Sequence, residues 1–248
     1  MRKITLMLAL LSAFVILIWK NPFLLQAKEW EFNPWSPITN ILPKEDNYSD
    51  ADISSDDSYQ KFLDAEHPFL DLHYIPADLM PIESDFTANN ARKFQLRKEA
   101  WIQFADLAWH FREYFKGKKK LSITSAYRSF NHQQELLKSY CKKKNQCANA
   151  GSSEHHAGLA LDLGTNGGRL DRASLERLEE NAHKRGFHQS YQKGVEIDKT
   201  MIEPWHWRYV WKILATELYE KKLSFTEWFY DLWTEDGLPK RSEEYNSK

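Results

Sequence analysis

The sequence carries no excess of charge of either sign. Its 34 Lys and Arg residues are balanced by 35 Asp and Glu, a formal net charge of −1 over 248 residues. The basic footprint with which proteins hold a phosphate backbone is missing, so nucleic acid is excluded as a partner. Cysteine is almost absent: Cys141 and Cys147 are the only two, too few on their own for a structural zinc site. No internal repeat is visible, which excludes a solenoid or an array. What remains is a chain with 42% hydrophobic and 14% aromatic residues, enough for one sizeable core and a squeeze for a second.

The first residues speak about location. Arg2 and Lys3 precede the apolar run Ile4 to Trp19, "ITLMLALLSAFVILIW", which closes at Lys20. This is the basic start and hydrophobic middle of an export signal, and its length lies near the short end for a spanning helix. No clean small-x-small cleavage site follows it; "LLQA" at Leu24 to Ala27 is the nearest. Residues 1–26 are therefore expected to be a signal peptide or a membrane anchor. The rest of the chain is placed outside the cytoplasm, in a periplasm or on the outer face of the membrane, with membrane contact through this segment only. In such an oxidising space a disulfide would close the short polar loop between Cys141 and Cys147; the alternative is two free thiols.

Residues 27–60 read as a linker. They hold Pro34, Pro37 and Pro43, then the Ser/Asp-rich "DNYSDADISSDDSYQ", with few aliphatic residues to bury. Trp30, Phe32 and Trp35 are too many aromatics for a purely solvated tether, and dock either on the domain or at the membrane interface. A globular domain is expected over 61–240, followed by a polar tail at 241–248.

Within the domain, Trp101, Phe104, Ala105, Ala108, Phe111 and Phe115 recur at helical spacing between Leu96 and Phe115, and Gly117 stops the run. "KLSITSAY" from Lys120 reads as a strand, "NHQQELLKSYCKK" from Asn131 as a helix, and "GLALDLG" from Gly158 as a strand with alternating faces. Asp171 to Arg185 reads as a helix with Gly186 at its stop. "MIEPWHWRYVW" from Met201 reads as a strand running into a helix from about Lys212, and "FTEWFYDLW" from Phe225 is expected to pack on the domain's own core. The mixture predicts an α+β fold, a small antiparallel sheet with flanking helices.

The chemistry gathers in two stretches. In "SSEHHAGLALD", Ser152 to Asp162, the strand reading points Ala160 and Asp162 to one face, and Gly158 lets the backbone pass close to its neighbours. A carboxylate then lies near His155. A third ligand is offered by His206 in "EPWHWRY", with Glu203 three residues before it. Two histidines and an aspartate form an N/O set suited to a mononuclear zinc with an open fourth position. Glu203 is left over as a base for a metal-activated water, the division of labour of a metallohydrolase. The H-E-x-x-H helix of other zinc peptidases is absent, so the scaffold must differ from theirs.

These residues carry a resemblance. "SSEHHAGLALD" matches an S-x-H-x-x-G-x-A-x-D signature and "EPWHWRY" an E-x-W-H motif of the zinc D-alanyl-D-alanine carboxypeptidases similar to VanY, whose fold is shared by the hedgehog signalling domain. "SAYRSFNHQ", Ser125 to Gln133, resembles the family's S-G-Y-R-S-x-x-x-Q motif, with Ala126 where glycine is usual. The resemblance implies one zinc per chain on His155, Asp162 and His206, with Glu203 as catalytic base. It places Arg128 where it stabilises an oxyanion or grips a substrate carboxylate, and Ser153 and Gln133 where they help hold substrate. The aromatics Tyr127, Trp205 and Trp207 suggest a narrow cleft for a chain end. His156 falls at a variable motif position and is read as a neighbour. His67, His73, His110, His132, His183 and His188 are read as surface or packed residues.

The implied activity is removal of the C-terminal D-alanine from peptidoglycan stem peptides by a monomeric enzyme. The alternatives are an L,D-carboxypeptidase, an endopeptidase on cross-links, or a zinc-containing wall-binding module without catalysis. Ala150 before the Gly151–Ser152 turn and "QKGVEIDKTM" before Glu203 depart from the family pattern, which bears on specificity more than on catalysis.

Overall fold

The structure, a computed structural model, describes residues 52–88, 93–141 and 146–232. The hydrophobic segment at 1–26, the linker as far as residue 51 and the tail at 241–248 lie outside the described residues. No helix among the described residues is long and apolar enough to cross a membrane.

Alternation builds the central sheet. Strands β1 (Leu79–Pro81) and β2 (Gln95–Arg97) form an antiparallel pair of their own. The main sheet comprises β3 (Leu121–Ser125), β4 (Ala160–Thr165), β5 (Gly168–Arg169), β6 (Phe187–His188) and β7 (His206–Tyr209). Its order is β3-β4-β7-β6, with β5 hairpinned onto β4, and every pair is antiparallel. On β4 and β7, Leu161, Leu163, Trp207 and Tyr209 enter the main core, so Ala160, Asp162, His206 and Arg208 fall on the opposite face. That face carries the site.

Helices cover the core face and close the fold. Helix α1 (Lys98–Tyr114) buries Trp101, Phe104, Leu107, Ala108 and Phe111 against Leu121, Ile123 and Phe187. It starts two residues later than the apolar pattern suggests, because Gln95–Arg97 is drawn into β2. Helix α2 (Phe130–Ser139) is capped by the Ser129 hydroxyl, which accepts from the His132 N–H. It ends before the disulfide formed by Cys141 and Cys147, earlier than the expected Lys143. The expected helix over Asp171–Arg185 divides into α3 (Arg172–Asn181), capped by Asp171, and a 3-10 turn at Ala182–Arg185. Gly186 stops it at φ 78°, where an added Cβ would meet the Tyr209 ring at 2.5 Å.

The strand expected over Met201–Trp211 contracts to β7. A turn precedes it: Pro204 has no N–H to give a ladder, and the His206 N–H bonds back to the Glu203 carbonyl at 3.0 Å. The short helix α4 (Val195–Asp198) lies ahead of this turn. Beyond β7, α5 (Lys212–Lys221) and α6 (Phe225–Leu232) form a second cluster, in which Phe225, Trp228 and Phe229 pack with Val210, Leu214 and Leu218. The aromatic C-terminal stretch thus packs on its own domain.

Part of the expected linker belongs to this cluster. Ile53 is 5% exposed and Phe62 stacks on Phe229 with ring centroids 3.8 Å apart. Arg97 donates to the Asp57 carbonyl at 2.6 Å and Tyr59 to the Asp78 carboxylate at 2.5 Å. Composition concealed this, since one apolar anchor, Ile53, amid Ser and Asp suffices when the partner surface, Phe62 included, supplies the rest of the burial.

Candidate functional site

The β4–β7 register pairs Asp162 with His206 directly across the sheet. The turn that carries His155 enters β4 through Gly158, whose φ of 65° and close neighbours Leu79 (2.9 Å from an added Cβ) and Arg97 (3.1 Å) leave no room for a side chain. Three ligand-type atoms meet as a result. His155 Nε2 lies 3.3 Å and His206 Nδ1 3.2 Å from Asp162 Oδ1, and one donor atom from each of the three residues lies within 4.8 Å of the others.

The outward nitrogens of both imidazoles are engaged. His155 Nδ1 sits 2.8 Å from the Ala126 carbonyl, and His206 Nε2 sits 2.9 Å from Glu154 Oε2. A carbonyl or carboxylate at one nitrogen holds the proton there and leaves the other lone pair for a metal. Both free lone pairs then face Asp162, so the donor set fits a zinc ion in composition and direction. Glu154 was not anticipated from the sequence. Its position between Ser153 and His155 in the motif was the one available signal.

Charge around the cluster is uneven. Burial pushes the Glu203 carboxyl up to about 7, Asp162 and Glu154 adding to the rise while His206 and Arg128 oppose it. Its Oε2 lies 3.9 Å from His206 Nδ1. Burial opposes ionisation of Asp162 as well, but His155 and His206 outweigh it and hold that carboxyl well below the usual range. Burial, aided by Arg128, pushes His155 down to about 4. For His206 the two carboxylates Asp162 and Glu154 overcome burial and raise it to about 9. Glu203 is therefore the carboxyl poised near neutrality, and the others are fixed as anions.

A cleft of about 260 Å³ opens over the cluster, lined by His155, Asp162, Glu203, His206, Arg128, Ser153, Tyr191 and Trp205 among others. Burial lowers Arg128 against the pull of Asp162 and Glu203, and its Nε has no hydrogen-bond partner among the described residues. A cation with an unused donor beside the cluster suits an anionic substrate group. Trp205 stands 41% exposed at the rim. Tyr191, which the sequence reading missed, stacks on His206 at 4.5 Å and shields one face of the ring.

Three expected site residues lie elsewhere. Gln133 is fully buried and its amide donates to the Ala148 carbonyl at 2.7 Å, so it braces the rim from below. Tyr127 does not line the cleft; its ring faces His156 at 6.4 Å. Trp207 enters the core because it alternates with His206 and Arg208. Arg208, on the same face as His206, pairs with Glu154 at 3.0 Å. His156 bonds the Tyr74 carbonyl at 2.8 Å and packs on Phe69, and His183 stacks on Tyr219.

A second cavity of about 340 Å³ adjoins the cleft, sharing Cys147, Ala148, Tyr191 and Thr200 with it. The Cys141–Cys147 disulfide and the Gln133 bond to Ala148 thus hold the wall between the two.

Known proteins resemble this chain. Residues 93–212 match the family model described as VanY: D-alanyl-D-alanine carboxypeptidase. A Bacillus subtilis (strain 168) protein, YodJ, provisionally named a carboxypeptidase, is 35% identical over 173 residues, covering 63% of this chain and 62% of its own length. The chain thus spans less than two thirds of that relative. Among solved structures, the LdcB LD-carboxypeptidase superposes with a TM-score of 0.62 at 28% identity, over 70% of this chain and 86% of that one. A zinc complex of a VanY D,D-pentapeptidase variant from a VanB-type vancomycin-resistance cassette has the same fold, with a TM-score of 0.56 at 23% identity over 67% of this chain and 96% of that one. The three motifs converge on one cleft inside residues 93–212, the region that matches the VanY D-alanyl-D-alanine carboxypeptidase model.

Proposed function

We propose that the protein is a zinc D,D-carboxypeptidase that removes the C-terminal D-alanine from peptidoglycan stem peptides outside the cytoplasm. The observation that carries this reading is the convergence of His155, Asp162 and His206 beneath a cleft that also holds Glu203. His155 Nε2, Asp162 Oδ1 and His206 Nδ1 would hold one zinc ion. When bound, zinc supplies Lewis acidity, which polarises the scissile carbonyl and acidifies an attacking water.

The remaining work falls to the chain's own groups. Glu203 takes a proton from the attacking water and returns it to the leaving D-alanine amine, a task suited to a carboxyl that burial has raised to about 7. Arg128 offers its unpaired Nε to negative charge, either the substrate's terminal carboxylate or the oxyanion that develops at the carbonyl. Ser153 contributes a hydroxyl to the cleft, and Trp205 and Tyr191 wall it against water. A cleft of about 260 Å³ suits a chain end better than a cross-linked strand. The protein is read as a monomer, exported by its N-terminal segment.

One observation favours a second reading. The LdcB structure is described as an LD-carboxypeptidase, so removal of D-alanine from a tetrapeptide is the rival specificity. Incubating the protein with pentapeptide and with tetrapeptide, each with chelator and with zinc restored, and weighing the products by mass spectrometry, decides the matter. Chelator-sensitive loss of one D-alanine from pentapeptide supports the D,D reading. Loss from tetrapeptide alone overturns it in favour of L,D activity. No release from either overturns the carboxypeptidase reading.

A further inference from the structure

Glu154 and Arg208 take no part in the chemistry just described, yet both are deeply buried beside it. Glu154 is 3% exposed and Arg208 fully buried. The two oxygens of Glu154 serve different partners. Oε2 meets His206 Nε2 at 2.9 Å, and Oε1 accepts from Arg208 Nη1 at 3.0 Å. Arg208 Nη2 in turn donates to the Lys61 carbonyl at 2.5 Å and reaches the Tyr59 carbonyl at 3.5 Å. A continuous chain of hydrogen bonds therefore runs from residues 59–61 through Arg208 and Glu154 to His206.

The direction of each bond is fixed by chemistry. Guanidinium only donates and an ionised carboxylate only accepts, so the one ambiguous group in the chain is the imidazole. A carboxylate faces each nitrogen of His206, and the closer one, Glu154 at 2.9 Å from Nε2 against Asp162 at 3.2 Å from Nδ1, places the proton of the neutral ring on Nε2. Its Nδ1 lone pair is then turned toward Asp162 and His155. Held between the Arg208 guanidinium at 3.0 Å and the His206 ring at 2.9 Å, Glu154 is placed to accept from both. Keeping two charges this deep is costly unless they are engaged; here both Glu154 oxygens and both terminal Arg208 nitrogens are, while Arg208 Nε has no partner among the described residues.

We infer that Glu154 is a positioning residue that selects the metal-binding tautomer and orientation of His206, and that Arg208, clamped by the backbone at residues 59–61, holds Glu154 in place. The inference rests on reading His206 as a zinc ligand. It assigns the segment around Tyr59 and Lys61 to the alignment of the site, although composition places most of it in a linker.

Two variants of the full chain test it, with the zinc ion alone as probe, in competition with a chromophoric chelator. In Glu154→Gln the side chain keeps its shape but carries one acceptor and one donor. Arg208 claims the acceptor, so the amide N–H₂ faces His206 Nε2 and drives the imidazole proton onto Nδ1. Zinc affinity is expected to fall about 10- to 100-fold, the usual effect of losing such an outer partner. In Glu154→Gln/Arg208→Met nothing claims the acceptor, the amide turns over, and affinity recovers toward wild type. Nitrogen-15 spectra of the zinc-free proteins, taken at a pH above the raised midpoint of His206 so that the ring carries one proton, give an independent readout: that proton sits at Nε2 in wild type and moves to Nδ1 in Glu154→Gln. Neither rescue nor a tautomer change is expected of a residue that merely stabilises the fold.

Equal zinc affinity in wild type and Glu154→Gln would overturn the inference. So would a weakened single variant whose His206 tautomer is unchanged, a result that does not depend on the double variant folding. Absence of zinc binding by the wild type would instead overturn the reading of the site itself.

Discussion

Asp162 and His206 face each other across β4 and β7, with Oδ1 and Nδ1 3.2 Å apart. Two residues of the proposed zinc site, 44 apart in the chain, are thereby fixed by a sheet register. A slip of one residue would send both into the core, because side chains alternate faces with period 2. The register is held by Leu161, Leu163, Trp207 and Tyr209, whose burial on the other face leaves no alternative. The packing of the core is thus what assembles the site.

Replacing Glu203 by glutamine is expected to lower kcat by about 10²- to 10⁴-fold, the usual share of a general base. Zinc affinity should stay close to wild type, because Glu203 lies outside the three-residue ligand set. Steady-state release of D-alanine alongside a zinc titration checks both halves. Undiminished turnover in the variant would remove Glu203 from the mechanism.

The pH profile of kcat/KM at saturating zinc should show an acid limb. Glu203 acts as a base when ionised, and burial holds its carboxyl up to about 7 in the metal-free protein. Activity therefore rises with pH through this limb. A bound cation stabilises the carboxylate and draws the midpoint lower, so the limb is expected at or below 7. An acid limb well above 7 would assign it to another group. At limiting zinc a further loss appears as pH falls, because protons compete for the histidines.

Metal removal should destabilise the fold. Zinc bound to the native state at 100 times its dissociation constant contributes about 2.7 kcal/mol. A chelator should lower the melting temperature of wild type and leave that of Asp162→Ala unchanged. Calorimetry with and without chelator gives the comparison.

Truncating Phe229 to alanine is expected to cost about 3–5 kcal/mol in urea unfolding. The ring is buried and stacks on Phe62 at 3.8 Å, tying α6 to the segment that precedes the sheet. A cost under 1 kcal/mol would mean that α6 is not docked as described.

Replacing both Cys141 and Cys147 by serine should cost about 2 kcal/mol, since the closed loop is short. KM should rise more than kcat falls. The bridge abuts the wall between the cleft and its neighbouring cavity and touches none of the three metal-site residues. A fall in kcat at constant KM would place the effect on the chemistry.

Much of this was legible in the chain because it depends on local chemistry. The alternation in "GLALDLG" placed Asp162 opposite the core residues Leu161 and Leu163, and the helical spacing of Trp101, Phe104, Ala108 and Phe111 marked α1. The residue types at 155, 162, 203 and 206 marked the positions that the fold brings together over one cleft.

The rest depended on which distant groups meet. Gln133 and Tyr127 belong to the same motif as Arg128, but only packing turned Arg128 into the cleft and Gln133 beneath its rim. Glu154 looked like a spacer between two motif residues until the fold laid His206 and Arg208 on either side of it. Residues 52–60 read as tether because a sequence records their own polarity and not the surface that receives Ile53. The sequence determined which groups were available and which faces of its strands were apolar; the tertiary structure decided their partners, because hydrogen bonds and ion pairs between residues far apart in the chain exist only once the core has fixed the register.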